Sequence, residues 1–333
     1  MDRHRPSALA ALACLLGGCC AAGEEPVRGK WVAISDTIIA ALEVEHKKPG
    51  YPGAAAGISL DHATGAVFVV ICDQGMWRSA DHGATFARVD RNAIGGRCET
   101  GFALDADPAG KRMMCYMIYG SSALTLDGGE SWSGSTLSHL DFGATDWSDP
   151  AAKTMIAVKH ESGGEGVLSK DAGHSWSSLG KGFVAVGMFP GGMLVASRGH
   201  GIERSADAGA TWTPVAAFKP AGLAMRLDAK GNGYWTSDAG LQFSGDAGLT
   251  WKVLGSAVRA YYGPFFGDKP GRLAVVGEQG ISESDDGAAS WKVVAPLPPD
   301  FRVGFTGPNF AWDAAAGIFY ASSMGKPALR FVR

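Results

Sequence analysis

The chain runs to 333 residues, of which 46% are hydrophobic and 19% charged, with a formal net charge of −3. That is ample material for a core, and it excludes the basic face that nucleic-acid binding needs. Abundant glycine (48 residues) and ten tryptophans with so few charges suit an all-β chain with many tight turns.

In chain order, the first element is a processing signal. Arg3, His4 and Arg5 form a positive n-region, and Ala8 to Leu16 form an apolar run too short to span a bilayer. The run ends in Leu16-Gly17-Gly18-Cys19, which resembles the bacterial lipobox, whose cysteine takes the lipid and becomes the mature N-terminus. The alternative is an ordinary secretory peptide cleaved near Ala22. The resemblance implies a signal peptide over 1–18, a lipid-anchored tether over 19–29 and a folded domain over 30–333. It implies export and attachment through Cys19 to the bacterial cell envelope. Ala21 rather than Asp follows Cys20, so the outer membrane is the expected address. No later segment is long and apolar enough to cross a membrane as a helix. Asp36–Lys48 reads as a short helix capped by Asp36 and ended by Pro49 and Pro52.

An eight-residue pattern then recurs: Ser or Thr, any, Asp, any, Gly, any, Thr or Ser, aromatic. It reads SADHGATF at Ser79–Phe86, TLDGGESW at Thr125–Trp132 and SKDAGHSW at Ser169–Trp176. It continues as SADAGATW at Ser205–Trp212, SGDAGLTW at Ser244–Trp251 and a degraded SDDGAASW at Ser284–Trp291, where Ala288 stands in place of glycine. The aromatic positions recur at the period of a four-stranded propeller blade. These copies resemble the Asp-box, or BNR repeat, of sialidases, sortilin-type receptors, xyloglucan-cleaving hydrolases and photosystem II assembly factors. The aspartates are turn fasteners rather than catalytic groups, because Asp and Ser side chains close turns onto nearby N–H groups.

A second repeat, a polar turn between apolar strands, occurs seven times, from Leu60–Val70 to Trp312–Ala321. Seven such turns with six boxes predict an all-β, seven-bladed β-propeller whose last blade borrows its outer strand from the N-terminus, near Gly29–Ile34. The blades fall at 54–92, 97–138, 140–181, 182–217, 220–256, 257–297, and 300–333 with 30–35. Closure of this kind removes exposed edges.

The fold resemblance implies a ligand site on the face opposite the boxes. The residues assigned to it are Arg97, Glu99, Arg198, His200, Arg226, Tyr261 and Glu278. Cys72 and Cys98 fall in adjacent blades near that face, where a disulfide between them is one candidate pairing; with Cys115 the count is odd, and the pairing of the three stays open. No metal-ligand spacing is present, and no cofactor is expected. The sialidase resemblance implies an arginine triad, for which Arg198, Arg226 and Arg259 are available, and a tyrosine with a glutamate partner, for which Tyr261 or Tyr262 and Glu278 are available. Its N-terminal Arg-Ile-Pro signature is absent. Paired carboxylates for glycan chemistry would come from Asp73, Glu99, Asp141, Glu161 or Glu278. His160, His200 and Tyr119 are available as bases. Trp77, Trp147, Trp235, Tyr261 and Tyr262 are candidates for stacking on sugars. The expectation is a monomeric binding or assembly-scaffold module for a protein or glycan ligand, with a sialidase-like or other glycoside hydrolase or lyase as the alternative.

Overall fold

The computed structural model describes residues 27–108, 110–304 and 307–333. Cys19 and the signal segment lie outside the described residues. Within them, the strands form seven four-stranded antiparallel sheets. Six sheets take their strands consecutively from the sequence. In the first blade these are Ala55–Leu60, Val67–Ile71, Gly75–Ser79 and Ala87–Arg88. The seventh pairs Trp31–Ala33 with Leu329–Val332, followed by Ile318–Ser322 and Asn309–Asp313. Trp31 lies opposite Phe331 in that register, with ring centroids 5.4 Å apart. The chain is therefore a seven-bladed propeller closed by its N-terminal strand, as the turn count predicts.

Burial runs from the axis outward. The first strand of the first blade is buried throughout, whereas its fourth, Ala87–Arg88, is not. First strands of successive blades pack on one another around the axis, as where Val186 bridges Ala224. Close approach demands small residues there. A Cβ on Gly143 would fall 2.4 Å from Tyr116 Cζ, and one on Gly187 2.6 Å from Met225 Cβ.

The eight-residue repeats form the turns between third and fourth strands, and all six share one hydrogen-bond scheme. The first residue's hydroxyl donates to the aspartate and accepts the fifth residue's N–H at 2.7–2.9 Å. The aspartate also accepts the seventh residue's N–H at 2.8–2.9 Å and its hydroxyl. The fourth and fifth residues are both left-handed, such as Ala247 (φ 56) and Gly248 (φ 81). In the degraded copy the glycine has moved one place: Gly287 has φ 72 and Ala288 φ 74. The scheme survives, but the indole N–H of Trp291 finds no acceptor among the described residues. In the four preceding copies the indole donates to its own repeat's glycine carbonyl.

The predicted helix forms but is shorter, at Asp36–Val44. Asp36 does not cap it. Ser35 occupies the cap, its carbonyl accepting the N–H groups of Ile38 and Ile39, while its hydroxyl is engaged by the Ala328 N–H. Ile38 and Leu42, one turn apart, pack with Ile34 against the first and seventh blades.

Candidate functional site

Strand order fixes two faces. Turns within the first and last strand pairs of each blade lie on one face with the repeats. Loops between second and third strands, and between blades, lie on the other.

On that loop face, three blades bring together a cluster. Arg97 precedes the first strand of the second blade. Its guanidinium lies 4.8 Å from the Tyr119 ring centroid and 5.3 Å from that of Tyr51, and its Nε donates to Met324 Sδ. Glu99 is 3.7 Å from Arg97 Nε, outside hydrogen-bond reach, and its buried Oε2 has no hydrogen-bond partner among the described residues. The Tyr119 hydroxyl lies 3.5 Å from His160 Nε2, and His160 Nδ1 lies 2.7 Å from Asp141 Oδ1. Burial raises the Asp141 carboxyl above its ordinary range, against the lowering effect of the His160 contact. Glu99, Asp141, His160 and Glu161 line one cleft of ≈ 390 Å³ between the second, third and fourth blades. Lys159, also in the wall, is paired to Glu165 at 2.8 Å. Tyr119 (51% exposed) and Tyr51 (77%) form an aromatic rim. Tyr119 (φ 53) and Glu161 (φ 48) hold left-handed backbone in the loops that carry the cluster.

The other predicted residues separate. Tyr261 and Glu278 meet, the phenol donating at 3.1 Å to a carboxylate that raises its pKa. Arg198 is committed to Glu203 at 2.6 Å and rests over Phe183 and Trp212. His200 is exposed at its loop tip. Arg226 is a correction. It pairs with Tyr234 beside the turn into the next strand, so it belongs to the repeat-side end of the axis. An arginine triad from Arg198, Arg226 and Arg259 is therefore not assembled. The stacking candidates also change: Trp77, Trp147, Trp235 and Tyr262 are buried, leaving Tyr261.

The candidate Cys72–Cys98 disulfide is not formed. Cys72, Cys98 and Cys115 are buried free thiols. Cys72 Sγ is 3.7 Å from the Gly53 carbonyl and Cys98 Sγ 3.9 Å from Met117 Sδ, so packing turns the two thiols to separate partners. Burial pushes the Cys72 thiol up to about 11.

Between the two faces lies a plug. Phe102 is 2% exposed and stacks on Tyr262 across the axis at 5.5 Å. A Cβ on Gly222 of the fifth blade would come 3.1 Å from its ring. Behind it, first-strand residues of all seven blades enclose a second cavity containing Arg226 and Asp105.

No protein-family model matches the chain, and no curated protein matches it. Solved structures do resemble it in fold. YCF48 bound to a D1 peptide is 16% identical, with 86% of this chain and 94% of that chain covered and a TM-score of 0.51. YCF48 from Cyanidioschyzon merolae is 16% identical over 86% and 98% of the two chains, with a TM-score of 0.49. The extracellular domain of a hybrid two-component system protein from B. thetaiotaomicron is 7% identical, with 85% of this chain and 39% of that chain covered and a TM-score of 0.53. Fold and comparisons together place the chain among the β-propellers.

Proposed function

We propose that this protein is a binding module whose loop-face cleft docks a basic segment of a protein ligand. In this reading the six repeats are Asp-boxes acting as scaffold, and a lipid on Cys19 tethers an exported propeller to the outer membrane. The carrying observation is Glu99: its buried Oε2 is ion-paired to Arg97 at 3.7 Å but receives no hydrogen bond among the described residues, in a cleft shared with Asp141 and Glu161. A ligand ammonium or guanidinium would supply the hydrogen bond that Arg97 stands too far away to give. The wall's own base is already spent on Glu165, and the tyrosine rim offers rings for stacking. Peptide docking on a propeller of similar fold is consistent with the reading.

The test is a peptide array rich in Lys and Arg, probed with the whole chain. Basic peptides should bind, weaken as salt rises, and weaken by about tenfold in Glu99→Gln. Equal binding by the variant, or preference for acidic peptides, sinks the reading.

A second reading, a carbohydrate-active enzyme, draws on Glu99 and Asp141 lining one cleft, with His160 hydrogen-bonded to Asp141. Turnover of a defined glycan that disappears in Glu99→Gln would favour it over docking.

A further inference from the structure

We propose that the axial cavity behind Phe102 is a second ligand site, for a small organic carboxylate, entered from the repeat-turn face. The cavity measures ≈ 70 Å³. At roughly 10–15 Å³ per water it has room for about five waters, or for one small acid. Its walls are mixed, with Met188, Met225 and Phe310 among the apolar residues and Ser59, His62 and Thr145 among the polar ones.

The polar groups there are unevenly matched. Arg226 is half-buried, and among the described residues its guanidinium makes neither a hydrogen bond nor an ion pair. The Phe102 ring lies 5.4 Å from its Cζ, and the Asp105 carboxylate interacts with it electrostatically. A guanidinium carries five N–H donors in a planar fork suited to a carboxylate. One more donor lies in the same lining: Trp312 (2% exposed) holds a buried indole N–H without an acceptor among the described residues, while the Trp147 indole is directed to Asp105. Asp105 is the one carboxylate in the lining, and its Oδ2 already accepts the Thr145 N–H at 2.8 Å. The Arg226 fork and the Trp312 indole N–H thus share a lining with a single carboxylate, and an acceptor-rich anion would add the acceptors they lack. A singly charged carboxylate with a short apolar tail fits both the donors and the walls. A doubly charged phosphate would lose more hydration on entering them.

The site is independent of the loop-face cleft, because the Phe102–Tyr262 stack stands between them. The experiment titrates the whole chain with propionate, and separately with inorganic phosphate, by calorimetry. Wild type should bind propionate, and Arg226→Met should weaken it about tenfold or more. Arg226→Lys should recover part of the loss, and Asp105→Asn should tighten binding severalfold by removing the competing carboxylate. Thermal unfolding checks each fold. Should Arg226→Met not fold, the lysine and asparagine variants decide the matter. Failure of folded wild type to bind propionate overturns the proposal. So does binding indifferent to Arg226 and Asp105, or phosphate binding as tight as propionate.

Discussion

Aspartates in the repeat turns and aspartates near the axis experience opposite environments. In the turns, Asp207 is held down to about 2 by the Thr211 hydroxyl and N–H, and Asp286 to about 2 by Ser290 in the same way. Near the axis, burial raises Asp141 and pushes Asp105 up to about 6, although Arg226 and Thr145 pull the latter back. The turn aspartates each accept at least three hydrogen bonds from neighbours a few residues away. The axial ones also have donors, but burial cuts them off from solvent and outweighs those contacts. A carboxylate satisfied near solvent fastens the fold; a desolvated one is poised to answer a ligand.

The largest effect that would break this contrast lies in the turns. Gly248 has φ 81, and a Cβ there would meet Val195 Cγ1 at 2.8 Å and Phe189 Cε2 at 2.9 Å. Gly248→Ala should cost about 2–4 kcal/mol in denaturant unfolding, from left-handed strain plus overpacking. Gly209→Ala should cost less, about 1–2 kcal/mol, because it meets only the flexible end of Leu179.

Asp105→Asn should move stability the other way. The raised folded pKa means that Asp105 supports the fold when protonated, below about 4, and that this support is lost as pH rises through about 6. The variant should therefore be more stable than wild type at pH 8, by about 1–3 kcal/mol, and equal to it near pH 4. A difference that persists at pH 4 would show that the asparagine acts through packing. Tyr116 and Arg226 are the ionisable neighbours to watch in such a titration.

Asp81→Ala removes an acceptor for the Ser79 and Thr85 hydroxyls and for the Ala84 and Thr85 N–H groups. A loss of about 1–2 kcal/mol is expected at this exposed turn. For the turn aspartates as a set, stability should be full above about 4 and fall as pH drops toward about 2, since their folded pKa values are depressed. The smallest effect is expected at Ala288→Gly. Relief of left-handed strain and loss of a fully buried methyl are each worth about 1 kcal/mol, so unfolding should barely change.

What the sequence by itself determined is local or periodic. The turn scheme reaches only from a residue to its fourth neighbour, so Ser79, Asp81, Gly83 and Thr85 announce it by spacing alone. The blade period counts the sheets, and the unpaired final turn near Gly317 requires a strand borrowed from around Trp31. What only the tertiary structure decided depends on side chains from different blades meeting at a particular height on the axis. Strand alternation does not say how deep Arg226 lies, and its neighbours Phe102 and Asp105 come from a blade more than a hundred residues away. The same holds for His160 and Asp141, separately visible in loops but paired by the register of one hairpin, and for Cys72 and Cys98, near each other yet turned apart by packing. Radial packing sets these contacts, and no spacing in one dimension encodes it.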